Sequence, residues 1–142
     1  MLLIDVNVLV YAYREDSPDH PAYRNWLSKL LHSGAHFSVA DLVLSGFLRI
    51  TTHPKIFNPP SPLEDALRFA ETLRGQPNCR TVAPGPRHWQ IFTQLCQAAG
   101  AVGNAIPDAY LAAMAIETGS RWITTDGGFN RFPGLDWRHP LR

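Results

Sequence analysis

Three aspartates carry most of the chemistry legible in this chain: Asp5, Asp108 and Asp126. Each lies where an apolar segment should exclude a charge. Asp5 closes Leu2-Leu3-Ile4, and Asp126 follows Trp122-Ile123-Thr124-Thr125. Asp108 opens Ala109-Tyr110-Leu111-Ala112-Ala113-Met114-Ala115-Ile116, which holds no further charge until Glu117. Two carboxylates about 4 Å apart near a protein surface repel by roughly 4 kcal/mol at an effective dielectric of 20, and a third adds more. If the three converge, protons or a divalent cation must neutralise them, and an all-carboxylate set favours Mg²⁺ or Mn²⁺ over zinc. Such ions promote in-line displacement at phosphorus by activating water and stabilising the leaving oxygen. The expected reaction is hydrolysis of a phosphodiester, in a pocket lined by the three acids.

Read singly, each acid also has an ordinary structural explanation. Asp5 suits the cap of a helix starting near Asn7, and Asp126-Gly127-Gly128 suits a turn after a strand. Asp108, just after Pro107, suits the positive end of a helix dipole. The spacing around Asp108 argues for more. Its helical neighbours at +3, +4, +7 and +8 are Leu111, Ala112, Ala115 and Ile116, so the carboxylate is expected on a core-facing stripe, where an unpaired charge is costly.

The elements that must position these acids follow from hydrophobic periodicity. A first strand ends at Asp5, and residues 8–13 continue as a helical turn. Helices are expected over 19–31, stopped by Gly34, over 41–52 despite Gly46, over 64–74, over 87–99 and from Asp108 onward. Ser61 and Glu64 have capping-box spacing for the 64–74 helix, with Pro62 as its first residue. Residues 53–62 hold four prolines and are expected to form a loop. Short strands are expected at 36–39, 80–83, around Ile123 and at 135–137. Strands alternating with helices predict an α/β protein, a three-layer α/β/α sandwich with a mainly parallel central sheet. Ligands in such sheets bind outside the strand carboxyl ends, where Asp5 and Asp126 stand.

Composition bounds the rest. The 142 residues are expected to form a single domain, 1–142, that buries about two thirds of its unfolded surface. No apolar run reaches the ~18 residues of a membrane span. The opening Met1-Leu2-Leu3-Ile4-Asp5 has no basic segment or cleavage site, so the expectation is a cytoplasmic protein without a signal or transit peptide. Cys79 and Cys96 are expected to be core residues, not a disulfide. The net charge of +1 announces no nucleic-acid field, although 11 of the 13 cations are arginine, which suits phosphate.

Taken together, Asp5-Val6-Asn7, Asp108-Ala109-Tyr110-Leu111-Ala112-Ala113, Thr124-Thr125-Asp126-Gly127-Gly128-Phe129 and Phe129-Asn130-Arg131-Phe132-Pro133-Gly134 give a chain that resembles the PIN-domain ribonucleases. More closely it is similar to the VapC toxins of bacterial toxin–antitoxin modules. The resemblance spans essentially the whole chain and implies a PIN-like fold and a Mg²⁺-dependent endoribonuclease, with Mn²⁺ able to substitute. It also implies an RNA substrate, a cognate antitoxin and a homodimer. By position, Asp5 and Asp108 would be the principal metal ligands, and Asp126 would complete the site directly or through water. Asn7 would orient Asp5 or contact the substrate. One departure stands out. Many relatives carry a glutamate three residues before an arginine in the helix over 41–52, and here Ser45-Gly46-Phe47-Leu48-Arg49 puts Gly46 in that place. Asp41 lies about 140° around the helix from it and is a poor substitute, leaving Asn104 or water to fill the gap.

Other residues carry weaker signals. Arg49, one turn after Gly46, suits a phosphate contact or an ordinary ion pair. His32 and His36 have metal-like spacing, but Gly34 between them should end the helix and part them. Trp26, Trp89, Trp122 and Trp137 read as core or dimer contacts, and Thr124 and Thr125 as strand residues able to hydrogen-bond the site. The rival readings are a non-catalytic PIN-like RNA-binding or scaffold module and a haloacid-dehalogenase-type phosphatase. The phosphatase would want an aspartate where Asn7 stands.

Overall fold

Leu2–Ile4 form the first strand, β1, and the chain turns at Asp5 straight into helix α1, Val6–Tyr13. Helix α1 is rich in β-branched residues of modest helix propensity, and burial of Val8, Leu9, Val10 and Ala12 holds it in place. There follow α2 (His20–Ser33), β2 (Phe37–Ser38), α3 (Asp41–Thr51), α4 (Leu63–Arg74), α5 (His88–Ala99), α6 (Ala105–Glu117), β3 (Arg121–Ile123), a 3₁₀ turn (Gly127–Arg131) and β4 (Trp137–Arg138). This computed structural model describes all residues, 1–142. No helix is long and apolar enough to cross a membrane.

The four strands form one parallel sheet in the order β2-β1-β3-β4. Helices α1 to α4 pack with one another, as do α5 and α6, giving the expected three layers. In the register, Leu3 pairs with Trp122 and Ile4 with Ile123. The ladder runs past the strands proper, since Asp5 N–H donates to Ile123 O at 2.9 Å and Thr124 N–H to Arg138 O at 3.1 Å. Chain order reverses between β1 and β3, so their carboxyl ends flank the switch point where α/β sheets bind ligands. Trp122, Phe37, Phe47 and Phe129 are fully buried in one core that joins the layers.

Several boundaries differ from the sequence expectation. No strand forms at 80–83: pairing stops at an isolated bridge between Cys79 and Phe37, flanked by Arg80 N–H donating to Phe37 O at 2.8 Å, and residues 81–83 make no backbone hydrogen bonds. The strand expected at 36–39 is confined to β2, and the last one is shifted to Trp137–Arg138. The capping box does not form, because the Ser61 hydroxyl accepts from Arg14 Nη1 at 3.0 Å and Pro62 stands at the cap. Helix α6 starts at Ala105, three residues before Asp108, with Pro107 in its first turn, where a missing N–H costs nothing. Gly34 ends α2 in the left-handed conformation at φ 75°, as its position predicts. Cys79 and Cys96 are free and half-buried. Trp89, far from being core, is 70% exposed.

Candidate active site at the carboxyl edge of the sheet

Asp5 is the most constrained of the three acids. It is 4% exposed, and both of its oxygens accept hydrogen bonds. Oδ1 takes Val6 N–H at 2.7 Å, which caps α1, and Oδ2 takes the Thr124 hydroxyl at 2.6 Å. Thr124, fully buried just beyond β3, in turn accepts the Asp126 N–H on the same oxygen at 3.0 Å. One hydroxyl thus ties the end of β1 to the turn after β3. Desolvation pushes the Asp5 carboxyl up to about 6; the bonds from Thr124 and Val6 oppose that rise, and repulsion from Asp108 and Asp126 adds to it.

Asp126 begins the 3₁₀ turn, its Oδ1 accepting Gly128 N–H at 2.8 Å. Asp108 comes from the other direction. Helix α6 runs back along the sheet into β3, so its first turn lies at the carboxyl edge and brings Asp108 toward the other two. The side chain is 28% exposed, less buried than its apolar neighbours suggested, and Arg131 Nη2 donates to its Oδ2 at 3.0 Å. Desolvation raises the Asp108 carboxyl above its ordinary value, Arg131 counters this, and Asp126 adds repulsion. Asp108 and Asp126 thus both repel Asp5, and Asp126 repels Asp108; the strand ends account for Asp5 and Asp126 at this edge, and α6 adds Asp108.

They do not form a closed ligand cage: nowhere in the chain are three or more His, Cys, Asp or Glu side chains gathered at ligand spacing. Nor do the acids line the largest groove, about 520 Å³, which lies between Tyr13–Asp16 and Pro59–Pro62. That groove is built around Arg14, which bonds Asp16, Ser61 and the Pro59 carbonyl. The expected pocket is instead an open edge. Its donor set is oxygen alone, partly desolvated and mutually repelling, which fits a hard cation that keeps several of its waters better than a fully protein-coordinated zinc.

The remaining candidates are less engaged. Asn7 is half-buried on the first turn of α1, while Asn104 stands exposed before α6 and makes no side-chain capping bond. Arg49 is exposed on α3. A Cβ at Gly46 would stand 3.6 Å from Val6 Cγ2, so position 46 faces the residue that follows Asp5 and the missing acid is missing beside the site. His32 bonds the Ser28 carbonyl and His36 meets Arg80, so the two do not pair. Arg131 is the residue that sequence reasoning passed over. Its only signal was an arginine five positions after Asp126, across a turn whose geometry no periodicity reveals.

The sequence profile of the PIN domain matches residues 2–135. Ribonuclease VapC43 of Mycobacterium tuberculosis is 43% identical over 141 residues, covering 99% of this chain and 96% of the relative. Ribonuclease VapC25 of the same organism is 45% identical over 135 residues, 95% of each. Among solved structures, VapBC2 of Rickettsia felis, bound to a promoter DNA fragment, superposes with a TM-score of 0.70 at 16% identity, covering 97% of both chains. VapBC-1 of nontypeable Haemophilus influenzae gives a TM-score of 0.68 at 17% identity, covering 99% of this chain and 98% of that one. The fold and the extent of these identities together make this chain a member of the PIN-domain family, within its VapC ribonuclease branch.

Proposed function

We propose that the protein is an endoribonuclease toxin that hydrolyses RNA phosphodiester bonds with Mg²⁺, or Mn²⁺ in its place, held at Asp5, Asp108 and Asp126. The observation that carries this reading is the Asp5 carboxylate, nine-tenths buried, locked by Val6 and Thr124 and repelled by two further acids. A buried carboxylate in that situation is poised to take a cation. The bound ion supplies the activation of water and the stabilisation of the leaving oxygen. Thr124 keeps Asp5 in one orientation, so the acid need not search rotamers when the cation arrives. Asn7 and Asn104, without side-chain partners of their own, are placed to orient Asp5 or the substrate, and Arg49 to meet a phosphate.

The relatives, which are ribonucleases, and the neighbouring structures, which are VapBC assemblies, support a cognate antitoxin as partner. We infer in addition a second copy of the chain as partner and a cytoplasmic location. Two sets of large apolar side chains stand in solvent to receive them: Leu42, Leu63 and Leu67 on α3 and α4, and Trp89, Val102 and Ile106 around the starts of α5 and α6. A non-catalytic RNA-binding module is the second reading, favoured by the absence of a preformed ligand cage and by Gly46. Membership of the PIN-domain family leaves the phosphatase reading without support.

Incubation of the purified protein with total RNA, with and without Mg²⁺ or Mn²⁺, separates the two. Cleavage that needs the ion and falls at least about a hundredfold in Asp5→Ala is the expected result. RNA binding without cleavage would establish the module instead, and an Asp5→Ala variant as fast as the parent would overturn the assignment of the reaction to these acids.

A further inference from the structure

The roles assigned above leave one charged group at the acid edge unused. Arg131 ends the 3₁₀ turn that Asp126 begins, and its guanidinium donates to Asp108 Oδ2. The guanidinium carbon lies 5.2 Å from the ring centroid of Phe132, itself buried, which gives the side chain a second anchor. A Cβ on Gly128 would stand 3.4 Å from Arg131 Nη2 and 2.9 Å from Asp126 Oδ1, so the guanidinium and the second carboxylate flank the same bare glycine. Asp108 Oδ1 receives no donor from the protein. A tethered cation is thus already seated on one of the three acids, beside the turn that carries a second.

We propose that Arg131 is a positioning residue that serves as a built-in counter-ion: it holds Asp108 beside Asp126 before a divalent cation arrives, and it opposes that cation's binding. The inference rests on the reading of Asp5, Asp108 and Asp126 as a cation site. Three carboxylates and one guanidinium leave two negative charges, the number that one divalent ion neutralises. A unit charge about 6 Å from a divalent one, even at the dielectric of water, changes affinity roughly tenfold. An ordinary half-exposed ion pair with no part in the site would leave that affinity where it was.

The test is Mn²⁺ affinity, read by titration calorimetry and by the electron paramagnetic resonance of free Mn²⁺, for the parent, Arg131→Gln and Arg131→Lys at low salt, with circular dichroism to confirm folding. Arg131→Gln is expected to bind Mn²⁺ roughly tenfold more tightly, with the gain shrinking in about 0.5 M salt as charges are screened. Arg131→Lys, which keeps the charge, is expected to stay close to the parent. Unchanged or weaker binding in Arg131→Gln overturns the proposal, as does Arg131→Lys tightening as much as Arg131→Gln. A parent that binds no Mn²⁺ would sink the cation-site reading and this inference with it, whereas a parent that binds while the variants match it sinks this inference alone.

Discussion

At Asp5 two demands meet in one carboxylate: it caps α1 through Val6, and it faces Asp108 and Asp126 at the edge of the sheet. Burial raises its pKa to about 6, the two facing acids add to the rise, and the Val6 and Thr124 bonds oppose it. The folded protein then binds a proton that the unfolded chain, with an ordinary carboxylate pKa near ~4, has already released. This contribution to stability is therefore fullest below about pH 4 and is lost as pH rises through about 6. Asp5→Asn removes the penalty, at the expense of one acceptor. In metal-free protein at pH 7 it is expected to stabilise the fold by about 1 to 3 kcal/mol, with the advantage closing between pH 6 and pH 4. Urea melts of both proteins across that range check it; an Asn variant less stable at pH 7 would mean that the cap outweighs the buried charge.

Elements, more than side chains, bring the acids together. Parallel pairing of β1 with β3 points both carboxyl ends the same way, and the return course of α6 carries Asp108 to that edge. The far end of α6 is fastened too: Glu117 accepts Gly85 N–H at 2.7 Å and Arg87 N–H at 2.9 Å, gripping the segment that leads into α5. The 3₁₀ turn after β3 does comparable work for Asp126 and needs a bare backbone at Gly128, since a Cβ there would press on Asp126 Oδ1 at 2.9 Å. Gly128→Ala is expected to displace that carboxylate and lower cleavage about tenfold or more, while the melting temperature moves only a few degrees because Gly128 itself is exposed. Assays on RNA alongside calorimetry would show it; a fully active Gly128→Ala would mean that Asp126 tolerates displacement.

For the whole molecule, the acid edge couples cation binding to folding. An ion held by the native state alone raises stability by mass action, and protons compete with it for the same oxygens. Mg²⁺ at about a hundredfold excess over its dissociation constant is expected to raise the melting temperature by roughly 9 °C at pH 7.5. The rise should be clearly smaller at pH 5.5, below the Asp5 value of about 6. Thermal scans with Mg²⁺ and with a chelator at both pH values test this, and equal shifts at the two would place the ion away from these acids.

How much was written in the sequence depends on the range of the interaction. The α/β layering, the Asp5 and Asp126 strand ends and the stop at Gly34 came from local pattern, because side-chain period and backbone conformation are set by neighbours a few residues apart. Helix α6 was legible as an apolar run, though its start was not, since Pro107 looked like a boundary and sits harmlessly inside the first turn. Nothing local distinguished the failed strand at 80–83 from β2, as both depend on a partner elsewhere in the chain. Tertiary structure alone decided that Thr124 bridges Asp5 to Asp126 and that Ser61 serves Arg14 instead of a helix. It also put Arg131 on Asp108. The physical reason is common to all three: a hydrogen bond or ion pair between distant residues depends on where folding leaves two backbones, and no spacing along the chain records that distance.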